Sequence, residues 1–209
     1  MSHEVSPLDL ESQVAIVLEA LRARNDVYLI AVVGIPGSGK STLCAALAQR
    51  LPAARVLPMD GYHVPRSELS PADMRRRGAP HTFDERQLRA DLQALRRNHA
   101  GSFPAFDHAK KDPEPRAIHV TRDHAPILIE GNYLLLRSWG LEDLFDFKIF
   151  VACDIQLAMA RVQSRLVDCR IVPSVEAAIQ QVQTNDLLNA HLILQDNTPT
   201  RVDLIVSQG

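Results

Sequence analysis

Two hydrophobic patterns alternate along this chain. Apolar residues recur every three or four positions over residues 8–21, which predicts an amphipathic helix. Residues 27–33 form an unbroken apolar run instead, which is typical of a strand buried on both faces of a parallel sheet. A helix over residues 41–51 and a short strand over 55–59 follow, so the pattern predicts a βαβ unit with a right-handed crossover.

The same alternation continues to the end of the chain. Ser70 followed by Pro71 marks the start of a short helix. Further helices are predicted over residues 84–98, 155–167 and 175–189, and further strands over 127–130, 147–152 and 202–207. Together these elements predict an α/β fold with three layers, α/β/α, around a mainly parallel sheet, in which residues 1–209 form one domain.

Residues 100–126 interrupt this regular order. They hold Pro104, Pro113, Pro115 and Pro126 among many polar side chains, a composition that favours irregular structure. Long irregular segments in compact domains are more often binding loops or lids than idle surface. We therefore expect an irregular substrate loop here, with a solvated connection as the alternative.

The charge balance excludes several kinds of partner. Lys and Arg total 23 against 25 Asp and Glu, which gives a formal net charge of -2. A chain with this balance has no overall positive field to hold nucleic acid or an anionic membrane, so any anion must be captured locally. The three cysteines, Cys44, Cys153 and Cys169, lack the spacing of a metal site and suit a reducing, cytoplasmic setting. No pattern typical of a signal peptide or a membrane span is present in the sequence.

One short motif has specific chemistry. Residues 34–41 have the sequence Gly-Ile-Pro-Gly-Ser-Gly-Lys-Ser and lie between a predicted buried strand and a predicted helix. This is the phosphate-binding P-loop pattern, in which glycines let backbone amides turn toward a phosphate at a helix N-terminus. Lys40 is expected to bridge the β- and γ-phosphates of ATP, and Ser41 to bind Mg²⁺. The residues expected to contact the nucleotide are Gly34, Pro36, Gly37, Ser38, Gly39, Lys40, Ser41 and Thr42.

The surrounding elements narrow the class within the P-loop NTPase fold. The sequence lacks both the Asn-Lys-x-Asp element that reads guanine in GTPases and the Ser-Gly-Gly signature of ABC ATPases. Residues 59–63, Met-Asp-Gly-Tyr-His, stand instead at the end of the second predicted strand. A doubly wound sheet places residues at such strand ends over the phosphate site. We therefore expect Asp60 to lie at the site of the chemistry.

Four ordered segments of the chain resemble the P-loop small-molecule kinases of the uridine kinase, phosphoribulokinase and type I pantothenate kinase group. They are the P-loop, residues 59–63, residues 78–84 (Gly-Ala-Pro-His-Thr-Phe-Asp) and residues 129–134 (Ile-Glu-Gly-Asn-Tyr-Leu). Within this group the chain is most similar to a bacterial branch labelled fructose transport system kinase, in which residues 106–108, 112–113 and 185–189 are also typical. This label implies a sugar as the substrate.

The resemblance implies roles for two carboxylates. Asp60 would be the general base that orients the acceptor hydroxyl, and Glu130 would lie near Mg²⁺ or the acceptor. Asp60, Glu130 and Lys40 thus belong to the expected catalytic set, with Ser41 and Glu130 as the expected Mg²⁺ ligands. The structural alternatives are a strand-end turn for Asp60 and an N-cap or a buried ion pair for Glu130.

Two arginines complete the expected catalytic set. Arg161 and Arg165 are four residues apart on a predicted helix, so they share one face. They are expected to contact the transferring phosphate, with a solvated face as the alternative. Arg170 lies further along, and Asp168 and Cys169 stand where the uridine kinases have more lid arginines, which is a departure from that family pattern.

Polar and aromatic side chains in three of these segments suit a hydroxyl-rich acceptor. The histidines among them lack the spacing of a helical metal site, so we expect them to form hydrogen bonds or to pack. We expect Arg75, Arg76 and Arg77 to face solvent, with a phosphate contact as the alternative, and Asn185 and Asn189 to share a helix face. The expected acceptor-binding residues are His63, His81, Phe83, Asp84, Phe106, Asp107 and His108.

Taken together, the motifs predict a kinase that uses ATP and Mg²⁺ to phosphorylate a hydroxyl of a small polar metabolite, a sugar of the fructose type or a nucleoside. The alternatives are a nucleotide-binding regulatory or adaptor protein, and an ATPase that needs no acceptor. The expected partners are ATP and a small-molecule acceptor, without nucleic acid or membrane insertion, and a homodimer stays open.

Overall fold

The computed structural model describes residues 9–24, 26–107, 109–196 and 201–208. A π-helical segment, Val182–Asp186, joins the last two helices. The strands are β1 (Leu29–Val33), β2 (Arg55–Pro58), β3 (Gly101–Asp107), β4 (Asp112–Val120), β5 (Ile127–Gly131), β6 (Phe147–Cys153) and β7 (Leu204–Gln208). The helices are α1 (Leu10–Arg22), α2 (Lys40–Arg50), α3 (Pro71–Arg75), α4 (Glu85–Asn98), α5 (Ile155–Asp168), α6 (Val175–Gln181) and α7 (Leu187–Asp196).

The central sheet has five parallel strands in the order β2-β5-β1-β6-β7. β1 lies in the middle, and all five of its residues are buried, because helices cover both faces of the sheet. The carboxyl ends of β1, β2, β5 and β6 meet at one edge, where the P-loop follows β1. The predicted parallel α/β sheet is therefore confirmed.

Helices pack on both faces and make the three predicted layers. On one face, α1 and α2 share an apolar cluster with the sheet that contains Val14, Val17, Leu43, Leu47 and Phe147. On the other face, α4 and α5 pack through Leu88, Leu92, Leu95, Val162 and Leu166. The three leucines of α4 recur at the spacing of one helix face, which is the pattern that predicted this helix.

The segment expected to be an irregular substrate loop is mostly a β-hairpin, so that prediction is wrong over residues 101–120. β3 and β4 pair in antiparallel fashion, with a break in register between Phe103 and Ala105, where Pro104 stands. Each strand of a hairpin has a single neighbour, so prolines that lack an N–H are tolerated at its outer edge or at a bulge. Phe103 is buried, and the Pro104 carbonyl packs on Gly61, so the hairpin lies against the turn after β2.

Element ends shift by a few residues from their predicted places. Residue 8, the predicted start of the first helix, lies outside the described residues, and Asp9 caps α1 within them. The single helix predicted over residues 175–189 contains the π segment and continues to Asp196. Hydrophobic period alone gives no sign of a π turn, since it adds one residue without changing composition.

Two further findings concern the helices and the cysteines. Within the described ranges, no helix is both long enough and apolar enough to cross a lipid bilayer. The cysteines are free thiols, with Cys44 buried and Cys169 exposed.

Candidate active site

The P-loop, residues 34–41, connects β1 to α2 at the carboxyl edge of the sheet. Lys40 and Ser41 begin α2, so the N-terminal end of this helix faces the loop. Gly37 has a φ of 79° and Gly39 a φ of 90°, a region that other residues rarely adopt. A Cβ on Gly37 would also overlap the Ala158 carbonyl of α5. Glycine at this position therefore lets the loop pack directly against α5.

Lys40 is the buried cation of the P-loop. It is 8% exposed, and its Nζ donates a hydrogen bond of 2.9 Å to the Ile35 carbonyl. Burial lowers the pKa of Lys40 to about 8, and the carboxylates of Glu130 and Asp60 oppose this shift. An anion placed in the loop would favour the charged form of Lys40, as expected of a lysine that binds phosphate.

Ser41 and Glu130, the residues expected to hold Mg²⁺, are in direct contact. The Ser41 hydroxyl donates to the Glu130 carboxylate, at 3.0 Å from Oε1 and 2.9 Å from Oε2. Burial raises the pKa of Glu130, while the Ser41 hydrogen bond and Lys40 act in the opposite direction. A hydroxyl and a carboxylate thus stand side by side at the end of the P-loop.

A cavity of about 490 Å³ opens beside the P-loop, a size in the range of small-molecule sites. It gathers ten of the residues predicted to bind nucleotide or to act in catalysis, and also Gly131, Asn132 and Val162, which were not predicted. Asn132 directly follows the Glu-Gly motif of β5, a signal that could have found it. The predicted lining residues are Pro36, Gly37, Gly39, Lys40, Ser41, Thr42, Asp60, Glu130, Arg161 and Arg165.

Two residues expected to contact the nucleotide lie behind the cavity wall. Gly34 and Ser38 are both buried, and neither lines the cavity. A Cβ on Gly34 would come within 2.6 Å of the Ser38 Oγ, so the two residues pack closely within the loop. They shape the P-loop from behind.

The three arginines in and after α5 fall into two groups, as their spacing predicts. Arg161 and Arg165 share a face and both line the cavity, which disfavours a purely solvated face. The Arg161 Nη1 also lies 3.6 Å from the Cys153 Sγ. Arg170 stands beyond the end of α5 with a φ of 51° and does not line the cavity. Arg161 and Arg165 therefore line the same cavity as the P-loop.

An aromatic wall, which we define as His63, Phe83 and Phe106, stands close to Asp60. The His63 ring stacks on Phe83 at 4.0 Å between centroids, and Phe106 lies 5.3 Å from His63. The backbone N–H of His63 donates a hydrogen bond to the backbone carbonyl of Asp60 at 3.2 Å. Burial lowers the pKa of His63 and so favours the neutral imidazole, while the Asp60 carboxylate opposes this shift. Three residues predicted to bind the acceptor are thus brought together.

The other residues predicted to bind the acceptor have local contacts. The His81 side chain is 55% exposed and lies 3.3 Å from Asp73. The Asp84 carboxylate caps α4 by accepting a hydrogen bond from the Gln87 N–H at 2.9 Å. The Asp107 carboxylate accepts from backbone N–H groups in the turn of the hairpin and pairs with Lys110. His108 lies outside the described residues. Acceptor contacts by these residues stay predictions.

The basic triplet over residues 75–77 corrects a further expectation. Arg75 is exposed as predicted, but Arg77 is 15% exposed and its Nη2 lies 2.9 Å from Asp112. Arg76 donates from Nη1 to the Thr184 carbonyl at 2.7 Å. The solvated interpretation is therefore wrong for Arg76 and Arg77, because both guanidinium groups tie separate parts of the chain together.

Asp186 is a half-buried carboxylate at the end of the π segment. Its Oδ2 has no hydrogen-bond partner among the described residues. Burial raises the pKa of Asp186 to about 6, and the positive charges of Arg165 and Arg76 oppose this shift. The π segment therefore lies close to Arg165, one of the two arginines that line the cavity.

Fold and loop together define the class of this protein. A phosphate-binding loop lies between a buried parallel strand and a helix, at the carboxyl edge of a doubly wound sheet. Backbone amides at such a helix N-terminus form an anion site, and ligands of these sheets bind at this edge. The protein is thus a P-loop nucleotide-binding protein.

Comparisons with known proteins agree with this class. Residues 30–179 match the AAA domain family. A Schizosaccharomyces pombe protein provisionally named uridine kinase is 33% identical over 207 residues, which cover 91% of this chain and 87% of that protein. An Aspergillus versicolor ATP-dependent kinase-like protein is 36% identical over 156 residues, 68% of this chain and 91% of that protein.

A solved structure extends the comparison to the fold. A Silicibacter sp. TM1040 protein, provisionally described as a fructose transport system kinase, matches with a TM-score of 0.81 and 34% identity. The match covers 95% of this chain and 98% of that one. The chain therefore belongs to the AAA domain family of P-loop proteins and is a kinase, a phosphotransferase with an alcohol group as acceptor. The predicted kinase resemblance is confirmed, while the homodimer stays open.

Proposed function

We propose that this kinase transfers the γ-phosphoryl group of ATP to a hydroxyl of a small polar metabolite, a sugar of the fructose type or a nucleoside. The observation that carries this proposal is the cavity that joins the P-loop to Asp60, Glu130, Arg161 and Arg165. Phosphoryl transfer depends on positioning and on charge neutralisation more than on covalent chemistry. This cavity combines cations for the phosphates with carboxylates for the acceptor and a metal ion.

The cations act on the nucleotide. Lys40 leaves the Ile35 carbonyl to contact the β- and γ-phosphates, and the amides of the P-loop hold the same groups. Arg161 and Arg165 contact the γ-phosphoryl group from α5 as negative charge moves toward the leaving ADP. An arginine in such a position is worth about 10³ to 10⁵ in rate.

Asp60 acts on the acceptor. Its carboxylate accepts a hydrogen bond from the acceptor hydroxyl and aims the oxygen at the γ-phosphorus. As the new O–P bond forms and the bond from the γ-phosphorus to the β–γ bridging oxygen breaks, the hydroxyl proton passes to Asp60. ADP then leaves with the bridging oxygen and its electron pair. Orientation of this kind also accounts for Asp60 lying at the boundary between the cavity and the aromatic wall.

Ser41 and Glu130 are the residues that would hold Mg²⁺. A hydroxyl and a carboxylate 2.9 Å apart offer the hard oxygens that this ion prefers. When bound, Mg²⁺ neutralises charge on the β- and γ-phosphates. Glu130 is held in place for this role by its hydrogen bond to Ser41.

The acceptor class is supported by the aromatic wall and by relatives. The half-buried imidazole of His63, which stacks on the buried Phe83 ring, combines an apolar ring with polar ring nitrogens, and this combination suits a sugar ring or a nucleoside. The Silicibacter protein is provisionally described as a fructose transport system kinase and the S. pombe protein is provisionally named a uridine kinase, and both align with most of this chain.

A direct assay tests the proposal. Purified protein is incubated with ATP labelled at the γ-phosphate, Mg²⁺ and one of D-fructose, uridine or pantothenate, and ADP and labelled product are measured. We expect product with D-fructose or uridine, loss of turnover with EDTA, and little product with pantothenate. ADP release that no acceptor accelerates would identify an ATPase, and ATP binding without turnover would favour a regulatory protein.

A further inference from the structure

The helix that contains the π segment buries two amides. Asn185 is 3% exposed and Asn189 is 2% exposed, although a helix of this kind normally hides apolar side chains. Buried amides need hydrogen-bond partners. π turns are rare and often occur at functional sites. The partners of Asn185 and Asn189 therefore show what this part of the helix does.

Both amides hold the loop over residues 76–83. The Asn185 Nδ2 donates to the Arg77 carbonyl at 2.9 Å, and the Asn189 Oδ1 accepts from the Arg76 Nη2 at 3.2 Å. Arg76 also donates to the Thr184 carbonyl of the π segment at 2.7 Å. Three hydrogen bonds thus fix the beginning of this loop to a helix more than 100 residues away in sequence.

The next residue of the loop is held from a second side. The Tyr133 hydroxyl donates to the Gly78 carbonyl at 2.6 Å, and the Gly78 N–H donates to the Thr82 Oγ1 at 2.9 Å. Gly78 has a φ of 97°, so a side chain would strain the backbone here. Tyr133 is fully buried and follows Asn132, which lines the cavity.

The end of the same loop forms the aromatic wall. The Val64 N–H donates to the Thr82 carbonyl at 2.9 Å, and His63 and Phe83 form an antiparallel bridge. The position of the loop therefore sets where Phe83 stacks on His63, beside Asp60. None of Arg76, Tyr133, Asn185 and Asn189 lines the cavity, so their contribution to the site passes through the loop.

We propose that Arg76, Tyr133, Asn185 and Asn189, which we call the loop clamp, are positioning residues that hold the 76–83 loop, and with it the aromatic wall, in the arrangement that binds the acceptor. The inference rests on the proposed function, because it assigns the aromatic wall to the acceptor. The loop clamp sets the affinity for the acceptor and leaves the affinity for ATP to the P-loop.

Asn185→Leu is the main test, because leucine keeps the branching at Cγ and has no hydrogen-bonding group. With D-fructose or uridine, whichever the unaltered protein phosphorylates, we expect the acceptor KM to rise about three- to tenfold, the effect of one lost hydrogen bond. The ATP KM stays unchanged. Thr184→Ala is the matched control: it removes a 2.8 Å bond to Gln180 from the same helix and keeps the Thr184 carbonyl that Arg76 uses.

A conservative change and a second site separate positioning from general stability. Asn189→Asp keeps an acceptor for Arg76 and should preserve the acceptor KM better than Asn189→Leu does. Tyr133→Phe removes one donor without removing a ring, and we expect it to raise the acceptor KM as Asn185→Leu does. If Asn185→Leu fails to fold, Tyr133→Phe gives the decisive measurement. Equal increases in the ATP and acceptor KM values would overturn the inference.

Amide hydrogen exchange tests the loop clamp without any acceptor. In the nucleotide-free protein, Asn185→Leu or Tyr133→Phe should raise exchange over residues 77–83 about three- to tenfold and leave β1 unaffected. Unchanged exchange over 77–83 in both variants would refute the loop clamp, whatever the assay shows. If exchange rises but no acceptor is phosphorylated by the unaltered protein, the loop is clamped as inferred and the proposed function fails instead.

Discussion

The proposed site has a nucleotide end and an acceptor end, and these two ends are built in different ways. The nucleotide end is one continuous segment, residues 34–42, completed by Glu130 and by Arg161 and Arg165 from a single helix. The acceptor end takes its aromatic wall from three separate segments and its loop clamp from two more. A site made from one segment can bind the common phosphate groups through backbone amides. A site made from many segments can change its acceptor by changing any one of them.

Asp60 lies where the two ends meet, and its removal should have the largest effect on turnover. Asp60→Asn keeps the shape of the side chain and removes the base, so we expect kcat to fall about 10² to 10⁴-fold. The affinity for ATP should change little, because the P-loop is intact. Steady-state rates and equilibrium binding of ATP measure the two effects. The control is Asp123→Asn, which lies in an exposed turn. If Asp60→Asn keeps a kcat within tenfold of the parent, Asp60 has only a structural role in the turn after β2.

Lys40→Met breaks the nucleotide end alone. We expect kcat/KM for ATP to fall about 10² to 10³-fold, the loss of one pre-placed charge at the transferring group. The variant should also melt at a higher temperature than the parent, because an apolar chain replaces a buried ammonium group. Rates and a thermal melt check both. The control is Lys110→Met, which alters an exposed ion pair and should change neither kcat/KM for ATP nor the melting temperature. A lower melting temperature for Lys40→Met would contradict the idea that burying the Lys40 ammonium group costs stability.

The pH dependence of ATP binding should arise at the nucleotide end. The pKa of Lys40 is lowered to about 8, and phosphate binds the protonated form. Above this pH, binding must take up a proton, so the Kd should rise by up to about tenfold per pH unit. Titrations with a non-hydrolysable ATP analogue between about pH 7.5 and 9.5 measure this. Lys40→Arg, which stays charged, should flatten the profile, and a flat profile in the parent would show that Lys40 does not titrate there.

The smallest effect is expected at Asp84. This residue was predicted to bind the acceptor, whereas in the structure its carboxylate caps α4. As the N-cap of α4, Asp84→Ala should lower the free energy of unfolding by about 1 kcal/mol, and Asp84→Asn should restore it. Denaturant unfolding measures this difference. The acceptor KM should stay close to that of the parent in both variants. If the acceptor KM rises in both the Asp84→Asn and the Asp84→Ala variant, the Asp84 carboxylate contacts the acceptor.

The nucleotide end could be predicted from the sequence because its chemistry is local. Eight adjacent residues contain the glycines, the lysine and the serine, and the flanking apolar run and helix give them their setting. Asp60 and Glu130 could be found for a related reason: Asp60 follows β2, Glu130 lies near the end of β5, and the carboxyl ends of these parallel strands share one edge of the sheet.

The acceptor end could be predicted only in part. Pro104 stands at a bulge and interrupts the alternation that would have indicated β3, so the hairpin gave no strand signal. Arg76 and Arg77 looked like a solvated charge run because their partners, Thr184, Asn189 and Asp112, are distant in the sequence. No local pattern distinguishes an arginine in water from one that donates to a carbonyl on another helix.

The pairing of β1 with β5 places a tight restriction on how this chain can change. Val32 stands opposite Glu130, and side chains alternate between the two faces of a strand. A slip of one residue between these strands would turn Glu130 to the other face of the sheet and take the carboxylate away from Ser41. Insertion or deletion of a single residue inside β5 would therefore remove the proposed Mg²⁺ ligand even if the sheet re-formed.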